Sequence, residues 1–333
     1  MTSLVTGATG FVGYHTAALL VARGESVRLL VRPTSRLDNV RELEPDLVDV
    51  VLGDLGDLDT LENAVAGCEM VYHVAADYRL WAPNPMDLYE SNVTGSLNVM
   101  RAARKASVRR VVYTSTVGTL GHLAGGLPAN EDTAVSEADM VGHYKLSKYR
   151  AEQEVLKLAQ GGQDIVIVNP STPVGDHDIK PTPTGQIVVD FLNGKMPAYM
   201  DTGLNLVDVR DVAQGIILAG EKGVAGRKYI LGCENLTLKN ILEMLGRIAG
   251  RRAPKIRMPF AAAFAAVAVE NAIARTIGKA PAHPLDGVRM ARHPMFFDAS
   301  RAVHELGLPQ TPVECALERA VVWFRTNGYI KTD

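Results

Sequence analysis

Short aliphatic runs alternate with stretches of helical periodicity through the first half of the chain. Near-continuous apolar segments at 3–5, 26–31, 49–52, 70–74, 110–113 and 165–168 read as strands covered on both faces, and helical patterns at 12–22, 58–66, 88–105 and 140–160 fall between them. That alternation predicts successive βαβ units, hence an α/β fold with a doubly wound parallel sheet of Rossmann type. From residue 170 the texture changes, with prolines at 170, 173, 181, 183 and 197, and the chain leaves the sheet. The stretch 205–219 reads as a strand end running into a helix. Helical patterns at 238–249, 259–277 and 313–326 are expected to roof a cleft at the C-terminal ends of the strands, where such sheets hold ligands. The predicted organisation is a dinucleotide-binding domain over 1–178, with 205–232 returning to it, and a smaller, mainly helical substrate region made of 179–204 and 233–333.

Composition narrows the function classes. With 333 residues, 47% of them hydrophobic, the chain can bury a sizeable core. A net charge of −2 and the lack of a basic run argue against nucleic acid as a partner and leave a small-molecule substrate. Cys68, Cys233 and Cys315 are odd in number and widely spaced, which predicts buried reduced thiols, no metal centre and a cytoplasmic location. Strand chemistry beginning by residue 3 leaves no room for a secretory signal. The apolar run 259–269 stops at Glu270, short of the roughly 20 residues a spanning helix needs. A transmembrane segment is therefore not expected, and this helix is read as buried or at an oligomer interface in preference to a peripheral membrane contact.

The first chemical signal is the turn from Thr6 to Gly13, a strand end opening through Gly7, Gly10 and Gly13 into a helix. Backbone N–H groups at such a helix start can face a pyrophosphate, and only glycines let it approach so closely. Gly7, Thr9, Gly10, Phe11, Val12 and Gly13 are the expected contacts. The second strand ends in Val31-Arg32 with Ser35 and Arg36 behind it, where an acidic residue would accept ribose hydroxyls. Guanidinium groups there favour a 2′-phosphate, so NADP(H) is the preferred cofactor and NAD(H) the alternative. Asp54 and Leu55 after the third strand, Ala75 and Ala76 after the fourth, and Pro170 and Thr172 after the sixth complete the expected cofactor contacts.

The second signal is Tyr144 and Lys148, four apart on a helical pattern and so on one face. A close ammonium and an oxidised nicotinamide both favour the phenolate, and would bring Tyr144 toward working pH as the acid/base for a substrate hydroxyl. Thr116 and Ser115, at the end of the fifth strand, offer hydroxyls to hold the reacting oxygen. Tyr78, Arg79, Trp81, His122 and Lys180 are the candidate substrate contacts, with the aromatics as an apolar or sugar-stacking wall.

In order along the chain, the Thr6–Gly13 turn, Asp54-Leu55, His73 to Ala76, Asn92 within Ser91 to Gly95, Tyr113 to Thr116 and Tyr144 to Lys148 resemble the extended short-chain dehydrogenase/reductase family. Ala75 to Trp81, Asn169 to Gly175 and Asp178 to Gly185 look like its hopanoid-associated sugar epimerase group, also described as dihydroflavonol 4-reductase-like. The resemblance implies Tyr144 as acid/base, Lys148 as its activator and ribose ligand, Thr116 as the catalytic hydroxyl with Ser115 adjacent, and Asn92 as the structural residue of the proton relay. It also implies a bacterial cytoplasmic enzyme that forms a homodimer through 88–105 and 140–160, linked to hopanoid or sugar metabolism. Asp208 departs from the histidine common in related chains and puts contacts through that position in doubt. Related dehydratases carry Asp-Glu after the hydroxyl residue; Val117-Gly118 stands here, which disfavours dehydration. Hydride transfer at a secondary alcohol or ketone is the expected reaction. The alternatives are a nucleotide-sugar epimerase that retains NAD through a keto intermediate, and a non-catalytic NADP-binding regulatory protein.

Overall fold

The computed structural model describes residues 2–331. Its strands are β1 (Thr2–Thr6), β2 (Ser26–Val31), β3 (Val48–Leu52), β4 (Met70–His73), β5 (Arg110–Thr114), β6 (Ile165–Pro170), β7 (Thr172–Val174), β8 (Ala198–Met200), β9 (Gly203–Asp208), β10 (Lys228–Leu231), β11 (Glu234–Thr237) and β12 (Ile256–Met258). The α-helices are α1 (Phe11–Ala22), α2 (Leu58–Val65), α3 (Met86–Tyr89), α4 (Gly95–Lys105), α5 (Gly142–Gln160), α6 (Pro183–Leu192), α7 (Val209–Lys222), α8 (Leu238–Ala249), α9 (Phe260–Thr276), α10 (Leu285–Met290), α11 (Ser300–Leu306) and α12 (Val313–Thr326).

Seven parallel strands form the main sheet in the order β10-β6-β5-β4-β1-β2-β3. The order reverses beside β1, which opens a crevice between β1 and β4 at their C-terminal ends. Alternate residues of each strand point to opposite faces, so Val5, Val112 and Val166 join one core with Leu20 and Ile216, while Leu4, Val111 and Ile165 join the other with Leu61, Val99 and Val155. Burying each such side chain contributes about 1.5–3 kcal/mol, which is why the strands read as unbroken aliphatic runs. A third core, around Val174, Phe191, Leu206, Leu242, Leu317 and Phe324, holds α6, α8 and α12 together over the crevice.

Four features differ from the sequence reading. The sheet has a seventh strand, β10, whose four residues pair with β6; so short a run carries little periodicity. Of the expected return over 205–232, α7 packs beside α1 and β10 joins the large sheet, whereas β9 pairs with β7 and β11 in a separate three-stranded sheet. The helix expected over 88–105 is interrupted by a π-helical segment, Glu90–Thr94. Finally, α9 is not buried: only Ala263 and Ala274 are covered, and Val269, Ile273 and Ile277 are 61%, 55% and 59% exposed. Among the described residues no helix is long and apolar enough to cross a membrane. The cysteines are free, but only Cys68 is buried, and Cys315 is exposed on α12.

Candidate active site

Sterics impose the glycine turn. Gly7 adopts φ +78°, and a Cβ there would stand 2.7 Å from the Ala75 nitrogen. A Cβ on Gly13 would stand 2.1 Å from the Gly7 carbonyl oxygen, so α1 can settle onto β1 only with glycine at that position. Gly10 caps α1 with no side-chain hydrogen bond, and no acidic residue stands in the first turn. The helix start therefore presents uncovered positive partial charge above a floor free of side chains, which fits the pyrophosphate of a dinucleotide. Arg32, at the end of β2, is exposed, and its guanidinium has no partner among the described residues. Arg36 is exposed as well, and its Nε donates to Asp38 Oδ2 at 2.8 Å in a surface ion pair. Asp54 likewise accepts from the Gly56 N–H at 2.8 Å in a local turn, while the Leu55 carbonyl is held by Asn98 at 3.0 Å.

A buried relay joins the turn to the π-helical segment. The Ser96 hydroxyl donates to the Asn92 carbonyl at 2.6 Å and so must accept from His73 Nε2 at 3.0 Å. The Thr6 hydroxyl accepts from the Ala75 N–H at 3.2 Å and donates to His73 Nδ1 at 2.8 Å. This bookkeeping assigns a neutral, Nε2-protonated imidazole. Burial, helped by the Lys148 charge, pushes His73 down to about 3. The Asn92 side chain then clamps the loop after β4, accepting from the Asp77 N–H at 2.8 Å and donating to the Asp77 carbonyl at 2.9 Å and to Ser147 at 3.0 Å. Because Ser147 also bonds the Tyr144 carbonyl at 2.8 Å, the π segment ties that loop to the helix that carries Tyr144.

Tyr144 stands half-buried at the start of α5, near enough to the Thr116 hydroxyl for that hydroxyl to favour its phenolate. Thr116 caps a short 3₁₀ turn, accepting from the Gly118 N–H at 3.1 Å, which orients its hydroxyl. Ser115 is buried, and its Oγ has no partner. Lys148 is fully buried; its ammonium donates to the Tyr113 hydroxyl at 3.1 Å and the Thr114 carbonyl at 2.9 Å, and stands 4.7 Å over the Tyr113 ring. Burial brings it down to about 8, opposed by Glu152. In the chain alone burial pushes the Tyr144 phenol up to about 12, the nearby Thr116 hydroxyl pulls the other way, and the Lys148 ammonium is turned toward Tyr113.

The candidate substrate residues do not all face the cleft as free groups. Arg79 is locked onto Asp77, with Nε–Oδ1 at 2.9 Å and Nη2–Oδ2 at 2.5 Å, and is not available as a free cation. Tyr78, 36% exposed, bridges to the Lys180 carbonyl at 3.3 Å, and Trp81 is 38% exposed rather than packed as filler. His122 is exposed beside Phe297, ring centroids 5.9 Å apart, and the Lys180 side chain is exposed. Pro170 ends β6, buried, and Thr172 opens β7. Asp208 caps α7 and binds Arg319, so it faces a charge network and not the cleft. In the same network the ligand atoms of His15, Asp176 and His177 lie within 4.8 Å of one another, but Asp176 is paired with Arg210 at 2.7 Å, which leaves no free carboxylate charge for a metal.

Two buried charges escaped the sequence reading. Glu152 accepts from Thr119 and from Asn169, both at 2.8 Å; its spacing of four from Lys148 was the available signal. Lys145 is 5% exposed.

The sequence pattern of the NAD dependent epimerase/dehydratase family matches residues 3–232. Over 333 aligned residues the chain is 48% identical to a putative dihydroflavonol 4-reductase of Synechocystis sp., spanning 99% of this chain and 96% of that one. It is 34% identical to sterol demethylase protein B of Methylococcus capsulatus, over 99% and 100% of the two chains. Among solved structures, gox2253 superposes with a TM-score of 0.88 at 47% identity over 99% of each chain. PA4631, a nucleoside-diphosphate-sugar epimerase from Pseudomonas aeruginosa, superposes at 0.81 with 27% identity, also over 99% of each. With a seven-stranded parallel sheet, a glycine cradle and this sequence match, the chain belongs to the NAD dependent epimerase/dehydratase family, the extended short-chain dehydrogenase/reductases, and is an enzyme of that family.

Proposed function

We propose that the protein is an NADP(H)-preferring oxidoreductase that moves hydride at a secondary alcohol or ketone, with Tyr144 as the acid/base. The observation that carries this is a grouping of three side chains: half-buried Tyr144 near the Thr116 hydroxyl just past β5, one helical turn from buried Lys148. A bound nicotinamide supplies or accepts the hydride, and the chain handles the proton. Gly7, Thr9, Gly10, Phe11, Val12 and Gly13 would hold the pyrophosphate, Arg32 the 2′-phosphate, and Lys148 the ribose. Protonated at neutral pH, Tyr144 donates its proton to a substrate carbonyl oxygen in reduction and takes it from the alcohol in the reverse reaction. Thr116 holds that oxygen in line. Asn92 and the His73 relay position the two sides of the cleft. Where a dehydratase would need a further acid and base, the chain has Val117 and Gly118. The relatives named dihydroflavonol 4-reductase and cinnamoyl-CoA reductase support reduction, and the one named for sterol demethylation supports a polycyclic lipid context of the hopanoid kind.

A second reading, an epimerase retaining NAD, is favoured by the likeness to PA4631. Mass spectrometry of the nucleotide released from denatured protein, with titration of the emptied protein by NADPH and NADH, separates the two. Reversible NADPH binding much tighter than NADH is expected; stoichiometric retained NAD overturns the first reading. We also propose a cytoplasmic homodimer built on 88–105 and 140–160, for which light scattering at the mass of one chain is the contrary result.

A further inference from the structure

We infer that Lys145 is the docking point for an oxyanion, carboxylate or phosphate, carried by the substrate. This rests on the reading of Tyr144 and Thr116 as the reacting end of the cleft.

Lys145 is a lysine with a buried stem whose ammonium reaches the surface without a protein partner. It is 5% exposed, and among the described residues its ammonium makes no hydrogen bond and no ion pair. Its neighbour on the same helix face, Lys148, has two oxygen acceptors and an aromatic ring. A Cβ on Gly118 would stand 3.4 Å from Thr116 Oγ1 and 3.5 Å from Lys145 Cε, so Gly118 is bordered by both the Thr116 hydroxyl and the end of the lysine stem. The Lys145 charge is also felt at His122, an exposed ring. Lys145 thus stands near Thr116 and within electrostatic reach of His122, one helical turn before Lys148.

The nearby acids are engaged elsewhere. Asp139 accepts from the Ser136 N–H and hydroxyl at 2.8 and 2.7 Å, and Asp286, which stands against Gly142 at the start of α5, pairs with Arg289 at 3.0 Å. Burial alone brings the Lys145 ammonium down to about 8, so it is still charged at neutral pH. A buried charge is normally paired or neutralised. The missing partner is an anion that arrives with the substrate, where a charge-assisted hydrogen bond fixes its orientation against Thr116.

The test is isothermal titration of the NADP⁺-saturated protein with benzoate, phenyl phosphate and benzamide, three probes of one ring that differ in charge. At least one anion is expected to bind about tenfold or more tighter than benzamide in the wild type and in Lys145→Arg, and less than about twofold tighter in Lys145→Met. Which anion gains more assigns carboxylate or phosphate. Benzamide binding as well as both anions, or an anion preference that survives in Lys145→Met, overturns the inference. Lys145→Met should melt no lower than the wild type, since it removes a charge that no protein group answers; a clear fall in Tm makes the lysine a structural prop and overturns it too. NADPH titration of the same samples separates the two readings: intact cofactor binding without anion preference faults Lys145 alone, while lost cofactor binding faults the oxidoreductase reading.

Discussion

Acid should weaken this fold through His73. In the unfolded chain the imidazole titrates near 6.5, and in the folded protein burial and the Lys148 charge hold it at about 3. The folded value lies below the unfolded one, so the native state refuses a proton that the unfolded chain takes. The resulting stability is complete above 6.5 and is lost as pH falls toward 3. At about pH 5 an unfolded imidazole is almost fully protonated and the folded one is not, which costs about 2 kcal/mol relative to about pH 7.5. The hydrogen bonds give the reason the ring cannot adapt: Ser96 already spends its hydroxyl proton on the Asn92 carbonyl, and a second proton on Nδ1 would point at the Thr6 hydroxyl hydrogen. Urea unfolding of the wild type and His73→Gln at the two pH values isolates this group. Carboxyls raised by burial, such as Asp178 at about 6, act in the opposite sense but cancel in the comparison. The wild type should lose about 2 kcal/mol more than the variant between the two pH values. Equal losses would refute a neutral, fully committed His73.

Tyr144→Phe should lower kcat by about 10²–10⁴-fold and leave NADPH affinity within about twofold, because the phenol supplies a proton and not a cofactor contact; unchanged turnover would remove Tyr144 from the mechanism. Arg32→Ala should weaken NADPH by about 10- to 100-fold and NADH by less than about threefold, the loss of one exposed charge-assisted contact to a phosphate. Fluorescence titration reads both, and parallel losses would mean Arg32 does not recognise the 2′-phosphate. Gly13→Ala, whose Cβ would stand 2.1 Å from the Gly7 oxygen, should cost about 3 kcal/mol in urea unfolding and abolish cofactor binding; a neutral change would contradict the close approach of α1 to β1.

What could be read in the chain was whatever local pattern alone decides. Strands buried on both faces must be aliphatic, so six of the seven were visible, while β10 spans too few residues to show a period. The glycine spacing was equally plain, because Gly10 and Gly13 pack on Gly7 within the turn itself, whereas the approach of Ala75 to Gly7 was not. Partner choice was not. Arg36 and Arg79 looked like free cations, yet each has an aspartate two residues away, Asp38 and Asp77, that captures it. The spacing was in view, but nothing local says whether the guanidinium turns inward to that carboxylate or outward to a ligand. For α9 only the buried half of the reading, buried or at an oligomer interface, is overturned, and for a related reason. Its alanine-rich run reads as buried because small apolar residues pack well, while burial depends on what the rest of the fold lays across it, and only Ala263 and Ala274 are covered.

The buried face of α5 shows how unequal satisfaction separates scaffold from site. Lys145, Lys148 and Glu152 follow one another at spacings of three and four, so all three project toward the sheet, and burying three charges on one face is costly unless each is answered. Lys148 is answered by Tyr113 and Thr114, and Glu152 by Thr119 and Asn169, with Lys228 3.7 Å away. Those contacts run to β5, β6, β10 and the turn after β5, and they fix the helix against the sheet. Tyr144, roughly a hundred degrees around the helix from Lys145, is carried into the cleft by that anchoring. Had all three charges served only to anchor α5, the one nearest the cleft would be as well paired as the others. It is the one left without a protein partner among the described residues, and its stem borders Gly118 together with the Thr116 hydroxyl.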